Sequence, residues 1–430
     1  MGCQMNENDT DTLAQFLINY GYNPVESHED ADLILINTCT VREKARQKAV
    51  SLLGRMIALK KRRPDIILGI MGCVAQQEGP MLLKKYPELD LVLGTREIGN
   101  ITGILNRIEE NGERVVATDL SADNAIPVIH DGYFKGRLKG YISIMEGCNN
   151  FCSYCIVPYV RGREKSFSPQ YILAQAENLI SQGIMEITLL GQNVNSYLSS
   201  EGNSVNFPKL IRMISPLKGL YRIRFTTSHP KDLSDELIKC FRDINNLCPH
   251  IHLPFQSGSN RVLKMMNRVY TKETYIGLIN KLRDARPDIA VTSDVIVGFP
   301  GETDNDFMMT IDLMEKIEFD NLFSFVYSDR KGTSAEKMDN KISDEIKLSR
   351  LNKLQGLQKE ITLKKNKMLE GKEEEILVEG LSKKMDQFTG RTPGNKIVNF
   401  TSNKNIIGQL VKIKIERSSI NSLQGILINN

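Results

Sequence analysis

The chain has 430 residues, 41% of them hydrophobic and 25% charged, with a net charge of +4 and no tryptophan. That length allows two to four domains, and the composition is ordinary for a soluble globular protein. No run of 18 apolar residues predicts a membrane span, and the start, Met1-Gly-Cys-Gln-Met5, lacks the basic and apolar regions of a secretory signal. A cytoplasmic location is therefore expected, and the eight cysteines point to metal or catalysis rather than to disulfides.

Residues 1–111 alternate apolar runs, at Leu33–Ile36, Ile66–Met71 and Leu91–Leu93, with stretches of helical composition such as 42–60. This pattern predicts a parallel sheet in an α/β domain. Cys39 and Cys73 each follow a predicted strand, at the carboxyl ends where ligand sites of open α/β sheets gather. With Cys3 they would make a set of three thiolates, each beside a small residue (Gly2, Thr38, Gly72). Such a set fits an iron–sulfur cluster, but buried cysteines without any ligand role are common, and composition leaves both readings open. Residues 42–63 carry nine Lys or Arg against the single acid Glu43, which fits either a polyanion-binding patch or a solvated face. The polar stretch 112–133 reads as a linker.

Residues 134–366 hold six further strand-like runs: Tyr141–Met145, Ile187–Leu190, Tyr221–Thr226, Ile251–Phe255, Val291–Val297 and Leu322–Tyr327. Six βα units are too few for an eight-fold barrel and predict a partial one, open at one side for a large substrate. The loop after the first strand contains Cys148, Cys152 and Cys155, spaced Cys-x3-Cys-x2-Cys. Three thiolates hold a cubane by three of its four irons, which leaves one iron for a small ligand. Reductive cleavage of S-adenosylmethionine needs such an open iron. A closed zinc site would want a fourth ligand, and Cys240 and Cys248 form no second pair of that spacing. Tyr154, beside the third cysteine, is placed to pack on an adenine.

Other unusual segments also follow strands: Gly191-Gln-Asn193, Ser228-His-Pro230, Gln256-Ser-Gly258 and Gly298-Phe-Pro-Gly-Glu302. Gln192, Asn193, Gly298 and Glu302 are candidate S-adenosylmethionine contacts, with strand-capping turn residues as the alternative. His229, His250 and His252 read as structural, and Cys240 and Cys248 as plain helix or loop residues.

Residues 340–370 predict a long, charged, exposed helix. Residues 369–430 switch to short β-type runs at Ile376–Val378, Ile397–Val398, Ile406–Ile407, Leu410–Ile415 and Leu427–Ile428, punctuated by glycine, which predicts a small antiparallel barrel. Residues 376–430 hold eight cations (Lys383, Lys384, Arg391, Lys396, Lys404, Lys412, Lys414 and Arg417) against three acids. RNA binding is the expected role, with a purely structural barrel as the alternative.

Long segments of the chain resemble the MiaB-type tRNA methylthiotransferases, a branch of the radical S-adenosylmethionine enzymes. The resembling segments are Gly2–Asn6, Asn37-Thr-Cys-Thr-Val-Arg-Glu-Lys-Ala45, Gly72–Gly79, Ile144–Cys148, Tyr154–Tyr159, Arg161–Glu164, Leu189–Tyr197, Thr227–Asp232, Gln256–Ser259 and Gly298–Thr303. Val378–Lys384 and Thr389–Thr392 resemble a TRAM domain, a small RNA-binding barrel. The resemblance implies a methylthiotransferase domain over 1–111, a radical core over 134–366 and a TRAM domain over 369–430.

It also implies two [4Fe–4S] clusters, the radical one on Cys148, Cys152 and Cys155 and an auxiliary one on Cys3, Cys39 and Cys73. S-adenosylmethionine would serve as both methyl donor and radical source. The expected product carries a methylthio group at C2 of N6-isopentenyladenosine at position 37 of tRNA, next to the anticodon. An electron donor such as flavodoxin or ferredoxin and a monomeric state are expected with it. An aromatic C–H offers no acidic proton or leaving group, so a radical must act on it, and the base must first leave its stack. Enzymes of the same chemistry that modify threonylcarbamoyladenosine or a ribosomal protein are the near alternative, which Gly2–Asn6 and Val41–Ala45 disfavour. A non-catalytic iron–sulfur RNA-binding protein is the distant one. The family's first domain begins with a strand ahead of its first cysteine. Here only Met1 and Gly2 precede Cys3, so either the start site is mis-assigned or the first strand is absent, and an absent strand would leave an unpaired sheet edge and a poorly anchored Cys3.

Overall fold

The apolar runs of the first domain pair in parallel, as strands that are apolar on both faces do when helices cover both sides. The computed structural model describes residues 2–40, 43–122, 130, 132–199, 204–382 and 387–428. In it, β1 (Leu33–Thr38), β2 (Ile67–Gly72), β3 (Leu91–Leu93) and β4 (Val115–Ala117) lie side by side in chain order. Thr38 is in register with Gly72, so Cys39 and Cys73 leave adjacent strand ends. Helices Glu43–Arg62 and Cys73–Lys85 cover one face, and helices Gln4–Tyr20 and Ile101–Asn111 cover the other. The β4 strand has no counterpart in the sequence reading, because Val115-Val-Ala117 is too short to show a period. Among the described residues β1 pairs with β2 alone, which makes it a sheet edge.

The six central runs form β5 (Lys139–Ser143), β6 (Glu186–Leu190), β7 (Arg222–Phe225), β8 (His250–His252), β9 (Ala290–Val297) and β10 (Asn321–Val326). They make two parallel three-stranded sheets, β5–β6–β7 and β8–β9–β10. The two sheets meet where Ile223 bridges Leu247, in the loop that leads into β8, and where Ser228 N–H, just past β7, bonds His252 O at 3.4 Å. Among the described residues β5 and β10 do not pair, so the wall is an open barrel with its gap between them. Alternate residues such as Ile187, Leu189, Ile223, Phe225, Val291 and Val295 face the helices and build the main core. The residues between them, including Glu186, Arg222, Arg224, His252 and Asp294, face inward.

The helix Asp344–Lys367 differs from the exposed rod expected. It buries Arg350, Leu354, Gln358, Ile361, Thr362 and Asn366. Gln358 donates to Phe319 O at 2.8 Å and Gln355 to Ser324 Oγ at 3.1 Å, which straps the helix along the outside of β10. Its buried stripe is largely polar, so a hydrophobic period could not reveal it.

The tail closes into a barrel of β11 (Glu373–Leu381), β12 (Phe388–Arg391), β13 (Ile397–Phe400), β14 (Leu410–Ser418) and β15 (Leu423–Leu427), ordered β11–β12–β13–β15–β14. Every neighbouring pair is antiparallel except β13 with β15, which is parallel. Ile406–Ile407 is not a strand; Ile406 enters the tail's core from a turn. The tail docks beneath the central barrel. Arg222 donates to Arg391 O at 2.7 Å and Glu375 O at 3.0 Å, and Arg224 to Pro393 O at 2.8 Å and Thr392 O at 3.0 Å. The amino-terminal end of the central barrel is thus plugged, and its carboxyl-terminal end is left for chemistry. Among the described residues no helix is long and apolar enough to cross a membrane.

Candidate active site

The cluster loop begins where β5 gives way to Met145–Glu146. Gly147 has φ +76°, and a Cβ there would run into the backbone of Gly162 and Arg163, so only glycine brings the chain into Cys148. Cys148 N–H donates to Gly162 O at 3.2 Å, and Gln192 Oε1 accepts from Gly147 N–H. Phe151 adopts φ +46°. Cys155 N–H closes on Cys152 O at 2.9 Å. Across the barrel mouth, Ser153 N–H bonds Met266 O, Asn267 Nδ2 bonds the carbonyls of Asn150 and Phe151, and Ala335 N–H bonds Ser153 O. On the loop that these bonds hold, Cys152 and Cys148 both lie near enough to Cys155 to raise its thiol.

Burial pushes the Cys148 thiol up, and pushes Cys155 up to about 12 with help from Cys152 beside it. Against that stands Arg268, whose Nη1 lies 3.4 Å from Cys152 Sγ. Its own burial works against its charge, but Tyr154, Tyr270 and Cys152 together hold its pKa above the usual guanidinium value. The Tyr154 ring packs with Val262, Met266, Phe299 and Tyr327. Arg268 and Asn267 escaped the sequence reading. The available signal was an Asn-Arg pair just past a helix, where Asn267 takes φ +56° as asparagine tolerates.

The second cysteine set also converges. Cys3 caps the helix Gln4–Tyr20. A hydrogen bond from Cys39 is the main cause that lowers its pKa to about 6, while its burial opposes the shift. Burial raises Cys73, with nearby Arg161 pulling the other way. Cys3 is well anchored, contrary to expectation. Its N–H donates to Asn6 Oδ1 at 3.3 Å, and Asn6 Nδ2 donates to Asn37 Oδ1 at 2.8 Å and Thr38 O at 3.1 Å. Gly72 has φ +90°, and a Cβ there would lie 2.6 Å from Thr38 O. It is required by a close backbone approach inside the protein rather than by room for a cofactor.

The two sets share a wall. Cys73 packs with Ile156 and Val160, the turn immediately after Cys155. Thr95 Oγ1 donates to Val160 O at 2.7 Å, and Arg161 reaches back to Asp9. Among the described residues no three of His, Cys, Asp or Glu converge closely enough to hold a single metal ion. A cubane binds each thiolate through a different iron, so its cysteines need to ring a volume, not a point.

Five buried polar atoms at the carboxyl ends of neighbouring strands have no partner among the described residues: Gln192 Nε2, Asn193 Oδ1, Ser228 Oγ, His229 Nε2 and Gln256 Oε1. Buried polar groups are nearly always satisfied, so this cluster fits a polar ligand beneath the cysteine loop. Thr227 and Gln256 have φ +66° and +65°, which stores backbone strain at the same rim. Gln192 and Asn193 therefore stand at the mouth. Gly298 and Glu302 do not offer free groups to it. Glu302 Oε1 accepts from Gly298 N–H at 3.0 Å and from Arg350 at 2.6 Å, so this turn ties β9 to the long helix.

His229 accepts from Lys231 N–H at 3.2 Å and His250 shares a bond with Thr292 Oγ1 at 3.2 Å. Burial lowers them to about 2 and about 3, so both are neutral. Cys240 and Cys248 are buried, one in the helix Asp235–Asp243 and one in the loop after it.

Both basic segments are partly spoken for. At the end of the first, Lys60 and Lys61 pair with Asp90 and Glu88, and Arg62 and Arg63 with Glu29 and Asp32. In the tail, Lys396 pairs with Asp320 and Arg391 with Glu379. Lys412 and Lys414 face Glu375 and Glu373 across the ladder. Lys404 and Arg417 are exposed. Arg42, Lys383 and Lys384 lie outside the described residues.

Three family models match: "Radical SAM superfamily" over residues 142–314, "Uncharacterized protein family UPF0004" over 1–94 and "TRAM domain" over 367–428. The chain is 50% identical over 426 residues to the tRNA-2-methylthio-N(6)-dimethylallyladenosine synthase of Syntrophus aciditrophicus, covering 99% of this chain and 92% of that protein. It is 46% identical over 430 residues to the protein of the same name in Geobacter sulfurreducens, covering 100% and 96%. Among solved structures, the radical S-adenosylmethionine methyltransferase TsrM of Kitasatospora setae aligns with a TM-score of 0.52 at 15% identity, over 77% of this chain and 69% of that one. That likeness speaks for the fold alone.

Proposed function

Because the chain belongs to the family of tRNA-2-methylthio-N(6)-dimethylallyladenosine synthases, we infer that it methylthiolates C2 of N6-isopentenyladenosine (the dimethylallyl nucleoside) in tRNA, next to the anticodon. The observation that carries this reading is the contact of Cys73 with Ile156 and Val160. A sulfur-bearing site and a radical-forming site must sit within reach of one base, and that contact makes them neighbours.

In this reading Cys148, Cys152 and Cys155 hold the radical [4Fe–4S] cluster, and Cys3, Cys39 and Cys73 hold an auxiliary one. Bound there with S-adenosylmethionine, the clusters supply a carbon-centred radical and the sulfur that takes the methyl group. The chain's own residues bind and shield. Gln192 fixes the backbone at Gly147 with its carbonyl and offers its amide N–H to the ligand. Asn193, Ser228, His229 and Gln256 complete a polar rim for the ligand's charged and hydroxyl groups. Arg268 holds its charge beside Cys152 and favours the thiolate. Arg161 does the same near Cys3 and Cys73. Gly298 and Glu302 act as a turn that braces β9. The tail binds RNA through the exposed Lys404 and Arg417 together with Lys383 and Lys384. The protein works as a cytoplasmic monomer that takes electrons from a carrier such as flavodoxin or ferredoxin.

Anaerobic reconstitution tests the reading. With S-adenosylmethionine, a reductant and isopentenylated tRNA, the protein should form 5′-deoxyadenosine and the 2-methylthio nucleoside together. Absence of 5′-deoxyadenosine from iron-replete protein would sink the enzymatic account.

A further inference from the structure

Along β10 the side chains alternate. Leu322 and Val326 turn outward to the main core, and the Ser324 hydroxyl receives Gln355 of the long helix. Phe323 and Phe325 therefore face the interior of the barrel, where they are 44% and 37% exposed. They stand beside the open side of the wall. Tyr327 is one pleat further along the same face, about 7 Å away. Its ring meets Phe299 at 5.3 Å in the cluster that also receives Tyr154 from the cysteine loop. The two phenylalanines thus line the wall just below the radical site.

A polar pair borders them. Asp294 is in register with Phe323, and its Oδ2 lies 3.4 Å from His252 Nε2. The His252 ring meets the Phe323 ring edge-on, with centroids 5.9 Å apart. Open aromatic faces beside a carboxylate repel a phosphate and suit a neutral, flat, partly apolar group. A prenylated adenine has that chemistry. Its base offers a π face for stacking, its dimethylallyl group gains from leaving water, its N6–H can donate to the Asp294 carboxylate, and a ring nitrogen can accept from His252.

We propose that Phe323 and Phe325 form the subsite for the prenylated adenine and set the preference for tRNA that carries the dimethylallyl group over tRNA that lacks it. The proposal rests on the function inferred above. It assigns His252 and Asp294 to hold the base edge.

The test compares reconstituted wild-type protein with Phe323→Ala and Phe325→Ala for binding of tRNA with and without the prenyl group. Iron content and thermal melting verify folding of each variant, and Phe323→Leu and Phe325→Leu are read instead if an alanine variant fails them. The expected result is a loss of about tenfold or more for prenylated tRNA, the size of one lost aromatic stack, with binding of unprenylated tRNA unchanged. Leucine should leave part of the preference. Variants that keep the wild-type preference, or that weaken both tRNAs equally, would overturn the proposal. Wild-type protein with no preference, and no methylthio product from prenylated tRNA, would instead remove the functional reading on which it rests.

Discussion

Asp9 and Arg161 form a two-point ion pair, with Nη2 to Oδ2 at 2.5 Å and Nη1 to Oδ1 at 3.3 Å, and both side chains are 4% exposed. The pair joins the N-terminal helix to the turn after the cysteine loop. It places a guanidinium charge near Cys3 and Cys73 while tethering the first domain to the second. One arginine therefore serves geometry and thiolate chemistry together.

Removing Asp9 alone leaves a buried, unpaired guanidinium. Asp9→Ala should destabilise the protein by about 3–5 kcal/mol. Asp9→Ala combined with Arg161→Leu should recover most of that loss, because an apolar pair costs less than an orphaned charge. Denaturant unfolding of the two variants, compared at equal iron loading, checks this.

The two cysteine sets should be separable. Cys152→Ala should remove about half the bound iron and abolish 5′-deoxyadenosine formation. Cys73→Ala should remove a similar share yet leave S-adenosylmethionine cleavage measurable. Iron analysis with product chromatography reads both. Equal loss of cleavage in the two variants would contradict the division of labour.

Arg222 and Arg224 hold the tail by four bonds to its carbonyls. Arg224→Met should expose Thr392–Lys396 to proteolysis and speed hydrogen exchange in β12 and β13, since hydrogen bonds to charged donors contribute roughly 1.5–3 kcal/mol each. Binding of tRNA should weaken with it, as the tail then loses its fixed position beneath the barrel.

Acid should weaken the fold partly through two histidines. His229 and His250 are lowered to about 2 and about 3, chiefly by burial, against an unfolded value near 6.5. The unfolded chain therefore binds more protons between those values. Their contribution is full above about pH 6.5 and is lost as pH falls toward the folded values, by up to about 1.4 kcal/mol per pH unit for each imidazole. His250→Gln keeps a partner for Thr292 and should flatten the acid limb of a stability–pH curve.

Much of this was legible in the chain. The spacing of Cys148, Cys152 and Cys155 announced a local site, because three ligands on one loop need no tertiary knowledge. All six central strands were visible, since each carries apolar residues either in a run or at alternate positions. The polar interior was not, because Arg222, Arg224 and Glu186 sit at alternate positions inside otherwise apolar strands. Arg268 and Asp9 act across more than a hundred residues of chain, and no local pattern marks such partners. The long helix misled for a related reason: Arg350, Gln358 and Asn366 are buried but polar.

The most direct test of the account is nucleoside mass spectrometry of tRNA from cells that lack their own enzyme of this kind and are supplied with this chain. Wild-type protein should convert N6-isopentenyladenosine to its 2-methylthio form, whereas Cys73→Ala and Cys152→Ala should each leave it unconverted. Full conversion by either variant, or none by the wild-type chain in iron-replete cells, would contradict the central claim that two neighbouring cysteine sites act on one base.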